Sequence, residues 1–113
     1  MGRTTPHLPS PVVEALQKLG SDIRKARLRR RMQMAEVADL ALISYPTLHK
    51  VERGDPGVSL GIYASVLCVL GWTDRLKDLA DVSKDPFGIA LEEQRLPKRI
   101  RHSRTEPKEG FDA

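Results

Sequence analysis

Apolar residues recur along the middle of the chain at spacings of three and four, and that period predicts helices. After Ser10-Pro11, the residues Val12, Leu16, Leu19, Ile23 and Ala26 line one face of a long first helix running to about Arg30. Ser10 reads as its N-cap, Pro11 suits the first turn, and Glu14 stands near the positive end of the helix dipole. Gly20 interrupts this helix and is expected to loosen or bend it, at about 1 kcal/mol relative to Ala. A second helix, Met34 to Leu40, turns Val37, Ala38 and Ala41 inward. Ala41-Leu42-Ile43 reads as a turn. A third helix then follows, capped by the hydroxyl of Ser44, with Pro46 tolerated near its start and Leu48 and Val51 facing inward. Gly54 supplies the left-handed residue that ends it.

Asp55-Pro56-Gly57-Val58 is a turn-rich loop, and Ser59 caps a fourth helix, Leu60 to Leu70, closed by Gly71. This helix is apolar almost all round, so more than one of its sides needs cover. A small core covers one side. The other, including Ile62 and Cys68, either meets a second copy of the chain or packs on the segment that follows. Thr73 to Ala80 reads as a short fifth helix, capped by Thr73, with Leu76, Leu79 and Ala80 inward. Trp72, the sole Trp, is placed at an interface or a domain edge.

The expected organisation is a flexible arm over 1–9, an all-α domain of five helices over 10–80, and a partly disordered extension over 81–113. Within the extension, Asp81 to Gly88 reads as a linker or turn, and Ile89 to Gln94 as one or two helical turns. Arg95 to Arg104 holds five Lys or Arg and no acid, and Thr105 to Ala113 is polar.

Composition narrows this. The 113 residues suffice for one small domain with tails, and aromatics are only 4%, so the core is aliphatic. A single cysteine, Cys68, allows no internal disulfide and fits a reducing cytosol. No apolar run approaches a membrane span, and the first residues lack a signal-peptide core, so a cytoplasmic protein with no membrane partner is expected. The net charge of +4 permits nucleic acid. Its distribution is more telling, because Arg24 to Arg31 holds six basic residues in eight. Such a run is either a solvated face that aids solubility or a surface that neutralises phosphates.

From Gln33 to Gly54 the order and spacing of residues resemble the helix-turn-helix of the Xre/phage-repressor family. The motif appears as Gln33-Met34, Ala35-Glu36-Val37-Ala38 and Ser44-Tyr45-Pro46-Thr47-Leu48-His49-Lys50-Val51-Glu52-Arg53-Gly54, within a resemblance covering roughly residues 19 to 80. Two departures stand out. The turn lacks the Gly common there, and Tyr45 and Pro46 replace the small or amide residues usual at the first exposed recognition positions. A weaker resemblance links the DPFGIALEEQRLPKRIR stretch to the tail of HipB-like antitoxins, the partners of HipA-like kinases.

The resemblance implies a lambda-repressor-like fold whose third helix enters the major groove N-terminal end first. On that basis Tyr45, Pro46, Thr47 and Lys50 would meet bases, and Arg30, Gln33, Ser44, His49 and Arg53 would meet phosphates. Arg27 would pair internally with Glu52. Ile62, Cys68 and Trp72 would form a dimer or partner face. The implied function is a homodimeric repressor of a palindromic operator on double-stranded DNA, acting as the autoregulating antitoxin of a type II toxin–antitoxin pair with a HipA-like kinase. A stand-alone phage-type or metabolic repressor is one alternative. A protein-interaction module built on the same fold, with the fourth helix and the tail as its working parts, is another.

Catalytic chemistry finds little support. His7, His49 and His102 are far apart with no second ligand at metal spacing, and Cys68 sits in an apolar helix. There is no G-x-S-x-G, P-loop or CxxC motif. A non-enzyme without metal or cofactor is expected.

Overall fold

The computed structural model describes residues 7–95. The arm residues 1–6 and the basic tail beyond Arg95 lie outside that range. Helices are the regular structure of the described residues, with no strand among them. In order they form α1 (Ser10–Arg29), α2 (Met34–Ala41), α3 (Tyr45–Glu52), α4 (Leu60–Val69), α5 (Thr73–Lys77), a 3-10 turn (Val82–Lys84) and α6 (Pro86–Arg95). They fall into two compact units, one ending at Lys77 and the other beginning at Asp78.

In the first unit, α3 packs on α1 and α2, and α4 packs on α2 and α5. Ile23, Val37, Leu48, Val51 and Val66 are fully buried at the centre, joined by Ala26, Ala38, Ala41, Tyr63 and Leu70. Burying each of the larger aliphatic side chains contributes about 1.5–3 kcal/mol. The inner faces expected of α2 and α3 are therefore the observed ones. On α1 only the C-terminal half of the expected face is buried; Leu19 packs at the edge of the core and Val12 is exposed.

Several local expectations are corrected. The N-cap of α1 is Pro9, with Ser10 and Pro11 already inside the helix. α1 runs without a break through Gly20, from Ser10 to Arg29. The role of Gly20 is contact: a Cβ at position 20 would lie 2.5 Å from the Gly54 nitrogen and 2.6 Å from the Val51 oxygen. Only hydrogen at that site lets the backbone of α1 lie against the C-terminal end of α3. Gly54 does the same from the other side. A Cβ there would collide with the backbone of Leu16 and Gln17, and its φ of 72° already favours glycine.

α1 to α4 end alike. At each end a left-handed residue lets two successive N–H groups turn back to carbonyls of the last turn. The left-handed residues are Arg31, Leu42, Gly54 and Gly71. For α2, Leu42 N–H donates to Asp39 O at 3.2 Å and Ile43 N–H to Ala38 O at 3.0 Å. The turn thus closes without glycine, on a leucine at φ 61°.

The fifth helix is shorter than expected. α5 stops at Lys77, and Thr73 is its first residue, not its cap. Leu76 is half-buried, whereas Leu79 and Ala80 lie past the helix and are exposed. In the second unit the expected linker at 81–88 already contains helix. Asp85 caps α6 by accepting from Gly88 N–H at 3.0 Å, Pro86 takes the first helical position, and ten residues are helical where one or two turns were expected. No residue between Asp78 and Arg95 is buried.

The Arg27 and Glu52 side chains are the two buried charged groups of the core. Arg27 Nε donates to Glu52 Oε2 at 2.7 Å and a terminal nitrogen donates to Oε1 at 3.1 Å, making a two-pronged pair. The other terminal nitrogen donates to the Met32 carbonyl at 3.0 Å. The hydrogen bond to Glu52 raises the Arg27 pKa against the opposing effect of burial, so the guanidinium stays charged at any accessible pH. Tyr63 is the other buried polar side chain of note. Its hydroxyl donates to Asp55 O at 2.8 Å, and burial, with the nearby Asp55 charge, pushes its pKa up to about 12.

Three measurements check this account. Gly20→Ala should lower the melting temperature, because the clash outweighs the roughly 1 kcal/mol that Ala gains in helix propensity; a higher melting temperature would mean the crossing has room. Arg27→Leu should destabilise the domain by roughly 3 kcal/mol in denaturant titration, since Glu52 is left charged and buried without a partner. Tyr63→Phe bears on alkaline stability. An unfolded tyrosine ionises near pH 10, whereas Tyr63 holds its proton to about pH 12. Its contribution is therefore complete below pH 10 and declines between pH 10 and 12. The stability difference between the parent and the Phe variant, about 1 kcal/mol at pH 8, should shrink over that window.

Candidate nucleic-acid interface

α3 has one anchored face and one free face. Leu48, Val51 and Glu52 hold it to the core. Pro46, His49 and Lys50 are exposed on the other side, with Arg53 just past the helix, and Tyr45 is 54% exposed at the N-terminal end. Thr47 is half-buried at the edge. Of the seven α3-region residues expected to meet DNA, Tyr45, Pro46, Thr47, His49 and Lys50 lie on one short, firmly packed helix, with Ser44 and Arg53 at its two caps.

The start of that helix is built locally. Ser44 has extended backbone geometry, and its Oγ accepts from the Thr47 N–H at 3.2 Å. The Ser44 hydroxyl also donates to Thr47 Oγ1 at 2.9 Å. Ser44 and Thr47 are thus engaged with each other in the first turn, which leaves Tyr45 and Pro46 as its outward side chains. Gln33 holds the equivalent place before α2. Its backbone N–H donates to Glu36 Oε1 at 3.1 Å, while the residue itself is exposed. Both helices present a partly positive N-terminal end, as anion contact requires.

The cations divide into two groups. Arg24, Lys25, Arg29, Arg31, Lys50 and Arg53 are exposed and form no ion pair with any other described residue. Arg27 is held internally by Glu52, as expected. For Arg30 the expectation of a phosphate contact is revised towards a structural role. One terminal nitrogen donates to Ala26 O at 3.0 Å and the other to Leu70 O at 3.2 Å, tying the end of α1 to the end of α4. Its guanidinium also lies 5.4 Å from the centre of the Trp72 ring, and that of Arg75 lies 3.9 Å away. Sequence position alone could not separate Arg30 from its neighbours in the basic run, because the separation depends on where α4 ends.

Ile62, Cys68 and Trp72 do not behave as one set. Ile62 and Trp72 are half-buried against the core, and Cys68 is exposed. Beside Cys68 is an open hollow of about 450 Å³ lined by Leu40, Ala41, Leu42, Ser65, Cys68 and Val69. Leu40 and Leu42 were not singled out from the sequence. The usable signal was that Val37, Ala38 and Ala41 complete the inner face of α2, which leaves Leu40 out of phase. Among the described residues no group of three His, Cys, Asp or Glu comes together to hold a metal ion, and no helix is long and apolar enough to cross a membrane. No protein-family model, no curated protein and no solved structure matches the chain.

Proposed function

We propose that this chain is a sequence-specific DNA-binding repressor in which α2 and α3 act as a helix-turn-helix of the Xre type within a lambda-repressor-like domain. The observation that carries the reading is α3 itself: anchored by Leu48, Val51 and a buried Glu52, with Tyr45, Pro46, His49, Lys50 and Arg53 outward. A rigid helix offering a tyrosine, a histidine and unpaired cations suits a major groove, where direct contacts specify and phosphate contacts position. Tyr45 and Pro46 meet base edges or a thymine methyl, and Lys50 donates to guanine. Gln33, His49, Arg53 and the free cations of α1 meet the backbone, and Arg30 braces the fold behind them. Two copies read a palindromic operator, one half-site each.

The second unit supports the antitoxin role over that of a stand-alone repressor. Its described residues include Leu79, Val82 and Phe87, each more than 70% exposed, and none of the described residues from Asp78 to Arg95 is buried. Such a segment has apolar surface to give to another protein, and a HipA-like kinase is the partner that the tail resemblance proposes. The protein would then repress its own operon and hold the toxin through this extension. The same observation favours the protein-interaction reading if DNA proves to be no ligand.

Titration of the purified chain against its own upstream DNA and a scrambled duplex, each at two salt concentrations, tests the reading. Tight binding to the upstream DNA alone, weakening steeply with salt, is expected. Lys50→Ala should weaken operator binding by about 1–3 kcal/mol and relax specificity at one base pair. Equal weak binding to both duplexes would overturn the repressor assignment and bring the protein-interaction reading forward.

A further inference from the structure

Leu42 combines two unfavourable features. It is 91% exposed, and it sits at φ 61°, where glycine fits without strain. Leu40, which lines the same hollow, is 62% exposed. Across from them α4 contributes Ser65, Cys68 and Val69, and none of the six lining residues carries a charge. That neutrality is unusual for this unit, because residues 7–77 hold eleven Lys and Arg against seven Asp and Glu.

We propose that this α2–α4 face is where two copies of the chain meet. Charge selects the occupant. An acidic partner would gain nothing from a neutral hollow when exposed cations stand elsewhere on the unit. A second, equally cationic copy is repelled by most of the surface and approaches closest where there is no charge. Shape agrees: a projecting Leu42 and a recess beside it on one face are the two halves of an isologous contact, each copy's leucine entering the other's hollow about a two-fold axis. Area sets the strength. Two exposed leucines and the rim of one hollow fall short of the roughly 800 Å² per partner of a standard stable interface. The contact is therefore weak alone and is completed when one duplex holds both copies. Cys68 belongs to this face; Ile62 and Trp72 serve the core and its edge. The proposal deepens the repressor reading by naming its dimer face, although the contact itself requires no DNA.

Cys68 is the only cysteine, so the native chain reports on the hollow directly. Sedimentation of the full chain without DNA, over a wide concentration range, should show a reversible monomer–dimer equilibrium, and a short bis-maleimide should link Cys68 to Cys68. Leu42→Gly should raise the melting temperature by a few degrees, because strain is relieved, while weakening association at least tenfold. Ser65→Glu, which leaves the turn untouched, should weaken association comparably and abolish the cross-link. A chain that stays monomeric throughout, or a dimer indifferent to both substitutions, would overturn the proposal. Binding to a duplex carrying a single half-site, measured on the same variants, separates the two readings. It should be unchanged by either substitution, and its absence in the parent protein would count against DNA recognition alone.

Discussion

The crossing of α1 and α3 is the constraint on which the first unit depends. Gly20 and Gly54 remove the side chains that would hold the two backbones apart, and the Arg27–Glu52 pair then closes across the gap they leave. Neither half works without the other. A buried ion pair needs short, two-pronged geometry to offset the loss of hydration, and that geometry exists only if the helices lie close. The close approach in turn draws Glu52, a residue of the candidate recognition helix, into the core. α3 is thereby fixed along its length by Leu48, Val51 and Glu52, and everything on its opposite face is left to meet something else.

Helix ends matter as much as helix faces in this chain. Four consecutive helices close with a left-handed residue, and in two of them that residue is not glycine. Arg31 and Leu42 accept strain that glycine would avoid, and both stand beside surfaces proposed for partners: Arg31 just before the start of α2, Leu42 at the neutral hollow. Strain retained at an exposed side chain calls for a contact that uses that side chain. Under the proposed function the same link from local geometry to contact would hold at both positions, with a cation offered to phosphate in one case and an apolar projection offered to another copy in the other.

The two units differ in kind. The first has an aliphatic core, a buried ion pair and capped helices. The second has caps and a 3-10 turn but no buried residue among those described, so its helix is specified by local signals: Asp85 as cap, Pro86 at the first position and good helix formers from Ala90 to Arg95. Apolar side chains with no core of their own are suited to a surface supplied by a partner. If the first unit reads DNA as proposed, its combination with such a segment is the arrangement that repression coupled to protein binding would need.

Much of the first unit was legible in the sequence. The period of Val37, Ala38, Ala41, Leu48 and Val51 assigned the inner faces of α2 and α3, because burial of apolar surface is the strongest demand on a short helix. Ser44 and Ser59 marked helix starts, and Gly54 and Gly71 marked ends, because capping chemistry is local. The Arg27–Glu52 pair was legible only through a family resemblance, since nothing in spacing joins residues so far apart. What tertiary structure alone decided was how these parts use one another. Gly20 reads as a defect within its helix and becomes a contact point only when α3 lies against it. Arg30 looks like any other cation of its run until the end of α4 offers it a carbonyl. Leu42 looks like part of a turn, and its exposure beside Cys68 follows from how α2 packs on α4. Period and caps are properties of neighbours along the chain, whereas close approach, pairing and exposure are properties of neighbours in space.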